Sequence, residues 1–379
     1  MQLSLPGHFA AVALCVLSLR QQEAPAPRVS IVRTPGNGLQ PRAAVDASGA
    51  VHLVYFVGDP GHGDLLYVHS SDAAKTFSAP LAVNRDAGKA MATGNVRGAQ
   101  LALGRAGRVH VAWNGVAAEK GAPSPMLYTR LDAEGQAFEP ARDVIAAHHG
   151  LDGGGAVAAD GAGNVYVVWH APGDGGEGEE ARRVWVATSH DDGATFAEEI
   201  AASEPGSGVC PCCGLGAHAL DGGGLAIVYR CAKDHEHRDT TLLSRKDAKS
   251  PFETRVLDGW KVAACVMSTA SLARGPKGLI AAWETEGKVR FSALDASDAH
   301  APRENDHRRK HPSIAVNAAS ELVVAWSEDL TWGSASKLSW QRYGADGAPL
   351  DNAFAVASLP PWSLSSVVAL ADGRFVVFY

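Results

Sequence analysis

The sequence predicts an all-β protein built as a β-propeller of four-stranded blades, and three observations carry that prediction. One hairpin phrase recurs along the whole chain. No segment sustains the 3.6-residue apolar period of an amphipathic helix, whereas alternation with period two is frequent. Glycine accounts for 41 of 379 residues, above the roughly 7 % of an average protein, as a chain of many tight turns requires. The remaining composition narrows the class. With 46 % hydrophobic and 20 % charged residues, the chain is too apolar to be disordered. A net charge of -7 excludes a nucleic-acid partner that needs an excess of Lys and Arg.

The recurring phrase is a short apolar strand, a Gly-containing turn, and an alternating strand ending in an aromatic. It runs from Ala43 to Tyr55, Gln100 to Trp113, Ala156 to Trp169 and Ala217 to Tyr229. It returns at Ser271 to Trp283, Ser313 to Trp326 and Ser366 to Phe378. The closing aromatics are spaced by 58, 56, 60, 54, 43 and 52 residues. A period near 50 with a second hairpin in most units is the signature of propeller blades. Seven phrases predict seven blades, with six as the alternative. The last phrase ends at the C-terminal Tyr379, so its blade must borrow a strand from Arg28 to Arg33 and is left one strand short.

Residues 1–24 read as a signal peptide and 28–379 as a single propeller domain. Phe9 to Leu19 is too short to span a bilayer but suits a signal h-region, and Glu23 to Pro27 suits a processing boundary. The expected location is secreted or periplasmic, with no membrane span in the mature chain. Five cysteines then remain, Cys210, Cys212, Cys213, Cys231 and Cys265. An odd number leaves at least one thiol outside any intrachain disulfide.

Strand order predicts where ligands bind. In each unit the residues before the first strand and after the closing aromatic share one mouth of the central channel, and the Gly turns lie on the opposite face. The mouth then collects Arg42, Arg97, His148, His149 and Asp152. It also collects the five cysteines, Met267, the run His307-Arg308-Arg309-Lys310-His311, and Trp362. Arg42, Arg97, Asp152, Arg308, Arg309, Lys310 and Trp362 are the candidate ligand-binding set. Cys210, Cys212, Cys213, Cys231, Cys265 and Met267 are the candidate metal set, since thiolates with a thioether suit a soft ion, Cu first and Zn second. His148, His149, His307 and His311 could complete such a shell, and His235 and His237 lie on the same rim. The alternative for the sulfurs is structural: two disulfides, from Cys210 or Cys212 to Cys231 and from Cys213 to Cys265, with Met267 as core filling.

Two segments add a resemblance. Ser189-His190-Asp191-Asp192-Gly193-Ala194-Thr195-Phe196, and more loosely Ser70 to Phe77 with Ala where Gly is expected, resemble the Asp-box repeat of the sialidase-like propeller superfamily. The resemblance implies an exo-sialidase or another glycoside hydrolase acting on an acidic sugar. In that reading Arg97 takes the substrate carboxylate and Asp152 is the acid, although the pair equally suits a rim ion pair. Further on, Cys210-Pro211-Cys212-Cys213, Tyr229-Arg230, Arg238-Asp239 and Asp258-Gly259-Trp260 before Ala264-Cys265 resemble an exported bacterial branch of that superfamily. No substrate comes with that branch. Three functions therefore stand: a binding or metal-handling propeller around the cysteine cluster, a glycosidase, and a disulfide-stapled scaffold for a protein partner. The ligand at the mouth is a small molecule, a metal or a glycan.

Overall fold

The computed structural model describes Gln2 and residues 28–94, 97–173, 176–303, 306–331, 333–352 and 354–379. The predicted signal peptide therefore lies outside the described residues. Seven sheets, six of them antiparallel and the seventh mixed, follow one another around a ring. Blade 1 holds Leu39–Val45, Val51–Asp59, His62–Ser70 and Leu81–Ala82. Blade 2 holds Gln100–Leu103, Val109–Asn114, Met126–Arg130 and Arg142–Asp143. Blade 3 holds Ala156–Ala159, Val165–Pro172, Arg182–Ser189 and Ile200–Ala201. Blade 4 holds Gly216–Leu220, Gly224–Arg230, Thr240–Arg245 and Glu253–Asp258. Blade 5 holds Ser271–Gly275, Gly278–Thr285 and Lys288–Ala293. Blade 6 holds Arg309–Val316, Leu322–Glu328, Ser336–Tyr343 and Phe354–Leu359. Blade 7 holds Ser366–Ala369, Phe375–Phe378 and the N-terminal Val29–Val32. Among the described residues there is no α-helix, only three one-turn 3-10 segments.

The ring closes as the sequence predicts. Val29–Val32 pairs in parallel with Phe375–Phe378, and the Thr34 amide and hydroxyl both donate to the Tyr379 carbonyl at 2.8 and 2.7 Å. Blade 7 is accordingly three-stranded. Blade 5 departs from the four-strand expectation, its outer edge reduced to a single bridge between Phe291 and His300. The cause is length: the interval from Trp283 to Trp326 is the shortest of the series, 43 residues.

Burial explains the hairpin phrase. All seven closing aromatics, from Tyr55 to Phe378, are at most 2 % exposed, each filling the wedge between neighbouring blades. The core is accordingly divided. Seven apolar clusters each join one blade to the next. An eighth and smaller cluster breaks the pattern: Cys210, Cys213, Ala232 and Val266, with Cys212, Trp260 and Val262 against it.

The turn face is held by local side-chain bonds. In Ser189–Phe196 the Ser189 hydroxyl donates to Asp191 at 2.7 Å and accepts from the Gly193 amide at 2.9 Å. The Thr195 amide and hydroxyl donate to Asp191 at 2.8 and 2.6 Å. Ser70–Phe77 repeats the same four bonds through Ser70, Asp72, Ala74 and Thr76. Such bonds close a tight turn with the chain's own carboxylate.

Candidate functional site

Each inner strand contributes to the wall of the central channel. Arg42-Ala43, Gln100-Leu101, Ala156-Val157, Gly216-Ala217, Ser271-Leu272, Ser313-Ile314 and Ser366-Val367 together enclose a space of about 150 Å³. Arg42 enters it from blade 1, and burial lowers its guanidinium to a pKa of about 10.

At the mouth, a second cavity of about 110 Å³ lies where blades 5, 6, 7 and 1 converge. Gln40, Met267, Lys310, His311, Trp362 and Leu364 line it. Its backbone is unusual. Gln40, Met267, His311 and Trp362 have φ of 49, 47, 52 and 65°, the left-handed region that bulky side chains rarely adopt. The four come from four different blades: Gln40 and His311 lie near the start of their inner strands, and Met267 and Trp362 lie four residues before theirs. At Gln40 and His311 the strand register also slips, between Leu39 and Arg42 and between Lys310 and Ser313. Such bulges re-aim side chains beside sites. Gln40 ties the cavity together: its side-chain amide donates to the Ala92 and Trp362 carbonyls and accepts from Gly98 N–H, each at 2.9 Å. His311 is buried, which holds its pKa down to about 3, and its Nδ1 has no hydrogen-bond partner.

The cysteine cluster occupies the adjoining arc of the mouth. Cys210, Cys212 and Cys213 place their sulfurs within 4.8 Å of one another. Cys212 forms a disulfide with the exposed Cys265, while Cys210, Cys213 and Cys231 are free thiols and buried. This pairing corrects the two-disulfide expectation, because Cys213 does not reach Cys265 and Cys231 is unpaired. Cys231 follows the second strand of blade 4 and is fixed there by the Asp239 amide, which donates to its sulfur at 3.2 Å. Met267 lines the neighbouring cavity.

The residues around the sulfurs explain the conjunction of motifs in this stretch. Arg230 is buried, donates to the Arg238 carbonyl at 2.7 Å, pairs with the buried Glu284 and lies 5.3 Å from the Trp260 ring centre. Arg238 donates to the Ala264 carbonyl at 3.1 Å and to Glu179 at 2.6 Å. Asp239 accepts from the Trp260 amide at 2.8 Å, and Asp258 accepts from Trp283 Nε1 at 2.8 Å. These side chains form a bracket that fixes Cys265, the Cys210–Cys213 turn and Cys231 relative to one another. The bracket also sets charge. Cys210 and Cys213 sulfurs lie 3.3 Å apart and compete for one proton. The shared hydrogen bond, the positive charge of Arg230 and the Ser268 amide favour the thiolate at Cys213, lowering its pKa to about 7, and Cys210 is raised correspondingly.

The other predicted residues are placed as follows. Arg97 and Asp152 form an ion pair at 2.5 Å on the rim. Lys310 reaches towards the sulfurs and donates to the Val266 carbonyl. Arg309 is turned into blade 6, where it donates to the Pro302 and Arg303 carbonyls and covers the Trp326 ring. Arg308 is exposed, and His307 pairs with Asp329 at 2.6 Å. His148 stacks on Trp185 and meets Glu199 at 3.2 Å, while His149 is exposed. His235 and His237 face Glu180 and Asp239. Of the histidines singled out from the sequence, only His311 is buried in the cluster's neighbourhood. Buried His170, which sequence reasoning passed over, lies against the Pro211 carbonyl of the cysteine turn and accepts from Arg182 at 3.0 Å. Sequence reasoning missed Gln40, Glu179, Ser268 and Glu284. Only Glu284, directly after the closing aromatic Trp283, carried a positional signal.

The ring of blades and the parallel closure define a seven-bladed β-propeller. Solved structures agree at the level of fold. A protein of unknown function from Dyadobacter fermentans is similar over 80 % of this chain and 93 % of its own, with 13 % identity and a TM-score of 0.54. The α-L-arabinanase of Penicillium chrysogenum, solved with arabinobiose, covers 82 % of this chain and 94 % of its own, with 13 % identity and a TM-score of 0.53. Trypanosoma rangeli sialidase covers 78 % of this chain and 53 % of its own, with 11 % identity and a TM-score of 0.51. No family model and no curated protein matches the chain.

Proposed function

We propose that the protein is an exported binding or metal-handling propeller that holds a soft metal, Cu(I) first and Zn(II) second, at Cys210, Cys212 and Cys213. The observation that carries this reading is the convergence of three sulfurs within 4.8 Å on one turn at the channel mouth. Thiolates are the donors soft ions prefer, and reduction of the Cys212–Cys265 disulfide makes all three of these sulfurs available. Arg230 and Arg238 offset the negative charge that accumulates when several thiolates share one ion. The disulfide itself fits an oxidising, extracytoplasmic compartment. Cys231 and Met267 stand outside this ligand set.

The test is a Cu(I) titration of the reduced full-length chain against a chromophoric chelator. The expected result is one equivalent bound by the wild type and none by a Cys210→Ser/Cys213→Ser double variant. Absence of binding by the wild type overturns the reading.

A second reading, a glycosidase for an acidic sugar, is favoured by the mouth cavity. Trp362 offers a ring face, Lys310 offers positive charge at the cavity and Arg42 in the adjoining channel, and the four left-handed residues are the kind of strain that functional sites retain. In this reading the ligand carboxylate goes to Lys310 and Arg42, since Arg97 is engaged with Asp152. Release of a chromophore from aryl glycosides of sialic or uronic acids, lost in Trp362→Ala, supports it; no release by the wild type removes it. The scaffold reading has no observation of its own beyond the disulfide.

A further inference from the structure

Four sulfurs form a continuous row from solvent to core. Cys265 is exposed and bonded to Cys212. The Cys212 sulfur lies 3.5 Å from that of Cys210, and the Cys210 sulfur lies 3.3 Å from that of Cys213. Both separations are contact distances, so each free thiol already touches the next sulfur along. Cys210 is fully buried and Cys213 is 3 % exposed, which shields the inner pair from solvent oxidants and thiols. One turn carries three of the four, with the Cys213 amide donating to the Cys210 carbonyl at 3.3 Å. The fifth sulfur, on Cys231, is held away by Asp239 N–H.

We infer that this row is a thiol–disulfide exchange relay, in which one disulfide moves between an outer position, Cys212–Cys265, and an inner position, Cys210–Cys213. The chemistry balances without an added oxidant. Cys210 gives its proton to the Cys213 sulfur 3.3 Å away and attacks the Cys212 sulfur; the Cys210–Cys212 bond forms, the Cys212–Cys265 bond breaks, and Cys265 leaves as a thiolate that takes up a proton. Cys213, again as thiolate, then attacks the Cys210 sulfur; the Cys210–Cys213 bond forms, and Cys212 leaves and is protonated. One disulfide and two thiols are present before and after, and exchange of this kind requires only that nucleophile and disulfide meet. The outer position gives the relay its substrate class. One equivalent of a low-molecular-weight thiol attacks the exposed Cys265 sulfur and releases Cys212. A second equivalent, or the second thiol of a protein dithiol, attacks the outer sulfur of that mixed disulfide and releases Cys265, so the thiols leave as their disulfide and the chain gains two electrons. The inner position stores the same oxidising equivalent out of reach.

The relay needs no metal, so it stands or falls separately from the metal reading. The full-length chain, purified without reductant, is incubated at pH 8 in the presence of a metal chelator and quenched in acid. Free thiols are then alkylated and the disulfides mapped by mass spectrometry. The expected wild-type result is a mixture of linkages, with Cys210–Cys213 at about a tenth of the total or more, as exchange between touching sulfurs allows. Cys210→Ser is expected to trap Cys212–Cys265 alone and leave Cys213 alkylated. Cys265→Ser is expected to retain one disulfide, now within Cys210–Cys213. A wild-type protein that holds only Cys212–Cys265 after prolonged incubation overturns the inference, and that measurement requires no variant to fold.

Discussion

The two faces of the propeller are made by opposite means. On the turn face, the same local solution recurs. Asp46 meets His52 at 3.3 Å and His52 meets Tyr67 at 2.8 Å. Between blades 2 and 3, Asp192, His110 and Tyr128 repeat that chain at 3.5 and 2.7 Å. Where this face uses left-handed backbone without glycine, it does so with small or polar turn residues such as Ala73, Ala74, Ala106 and Ser320. At the mouth, Gln40, Met267, His311 and Trp362 adopt it instead. Buried polar atoms without hydrogen-bond partners occur on both faces, on His110 and Asp192 as on Glu284, Ser268 and His311. Repetition marks the face that holds the ring together, and the mouth departs from it in the residue types that take left-handed backbone.

The largest expected effect tests the turn face. A Cβ on Gly193 meets the Tyr128 hydroxyl and sits at a φ of +80°. Gly193→Ala should therefore destabilise by about 2–4 kcal/mol, overpacking and left-handed strain adding, as read by urea denaturation. A neutral result would break the claim that these turns are structural anchors.

Acid should act on both faces. Burial pushes His110 and His218 down to about 4 and His311 to about 3. Between these values and the ordinary 6.5, the unfolded chain binds more protons than the folded one, so stability falls as pH drops from 6.5 towards 4. The melting temperature should decline across that window, and His110→Gln should flatten part of the decline. Glu199 contributes lower down: burial raises its pKa, but the amides of Ala146, Ala147 and His148 outweigh this and hold it at about 2. Its contribution is present above about 4.5 and is lost as pH falls towards 2.

The smallest effect sharpens the contrast. Ala74 stands where the equivalent turn has Gly193, with a φ of 64°. Ala74→Gly should stabilise by about 0.5 kcal/mol through relief of that strain, less the lost methyl burial. Trp362→Gly at the mouth should relieve strain as well but abolish ligand retention, separating stability from function.

The sequence was informative where the fold repeats itself. Period-two strands, closing aromatics and a terminal strand without a partner are local signals, and each maps onto the ring. The mouth was legible as a set of positions but not as an arrangement. Arg309 and Lys310 are adjacent, and strand alternation sends the first into blade 6 and the second towards the sulfurs. Which cysteine bonds Cys265 depends on the Arg230–Arg238 bracket, a contact set between segments separated in the chain, and no spacing encodes it. The left-handed conformations of Met267 and Trp362 are not signalled by residue type, since bulky side chains rarely adopt them.

The central claim is that the cysteine turn is a soft-metal site. X-ray absorption on reduced, zinc-loaded protein tests it most directly, because it counts the sulfur ligands. The account predicts a first shell of three or four sulfurs at about 2.3 Å, falling to a nitrogen and oxygen shell or to no bound metal in Cys210→Ser/Cys213→Ser. A wild-type shell without sulfur, or a reduced wild type that retains no zinc, would contradict it.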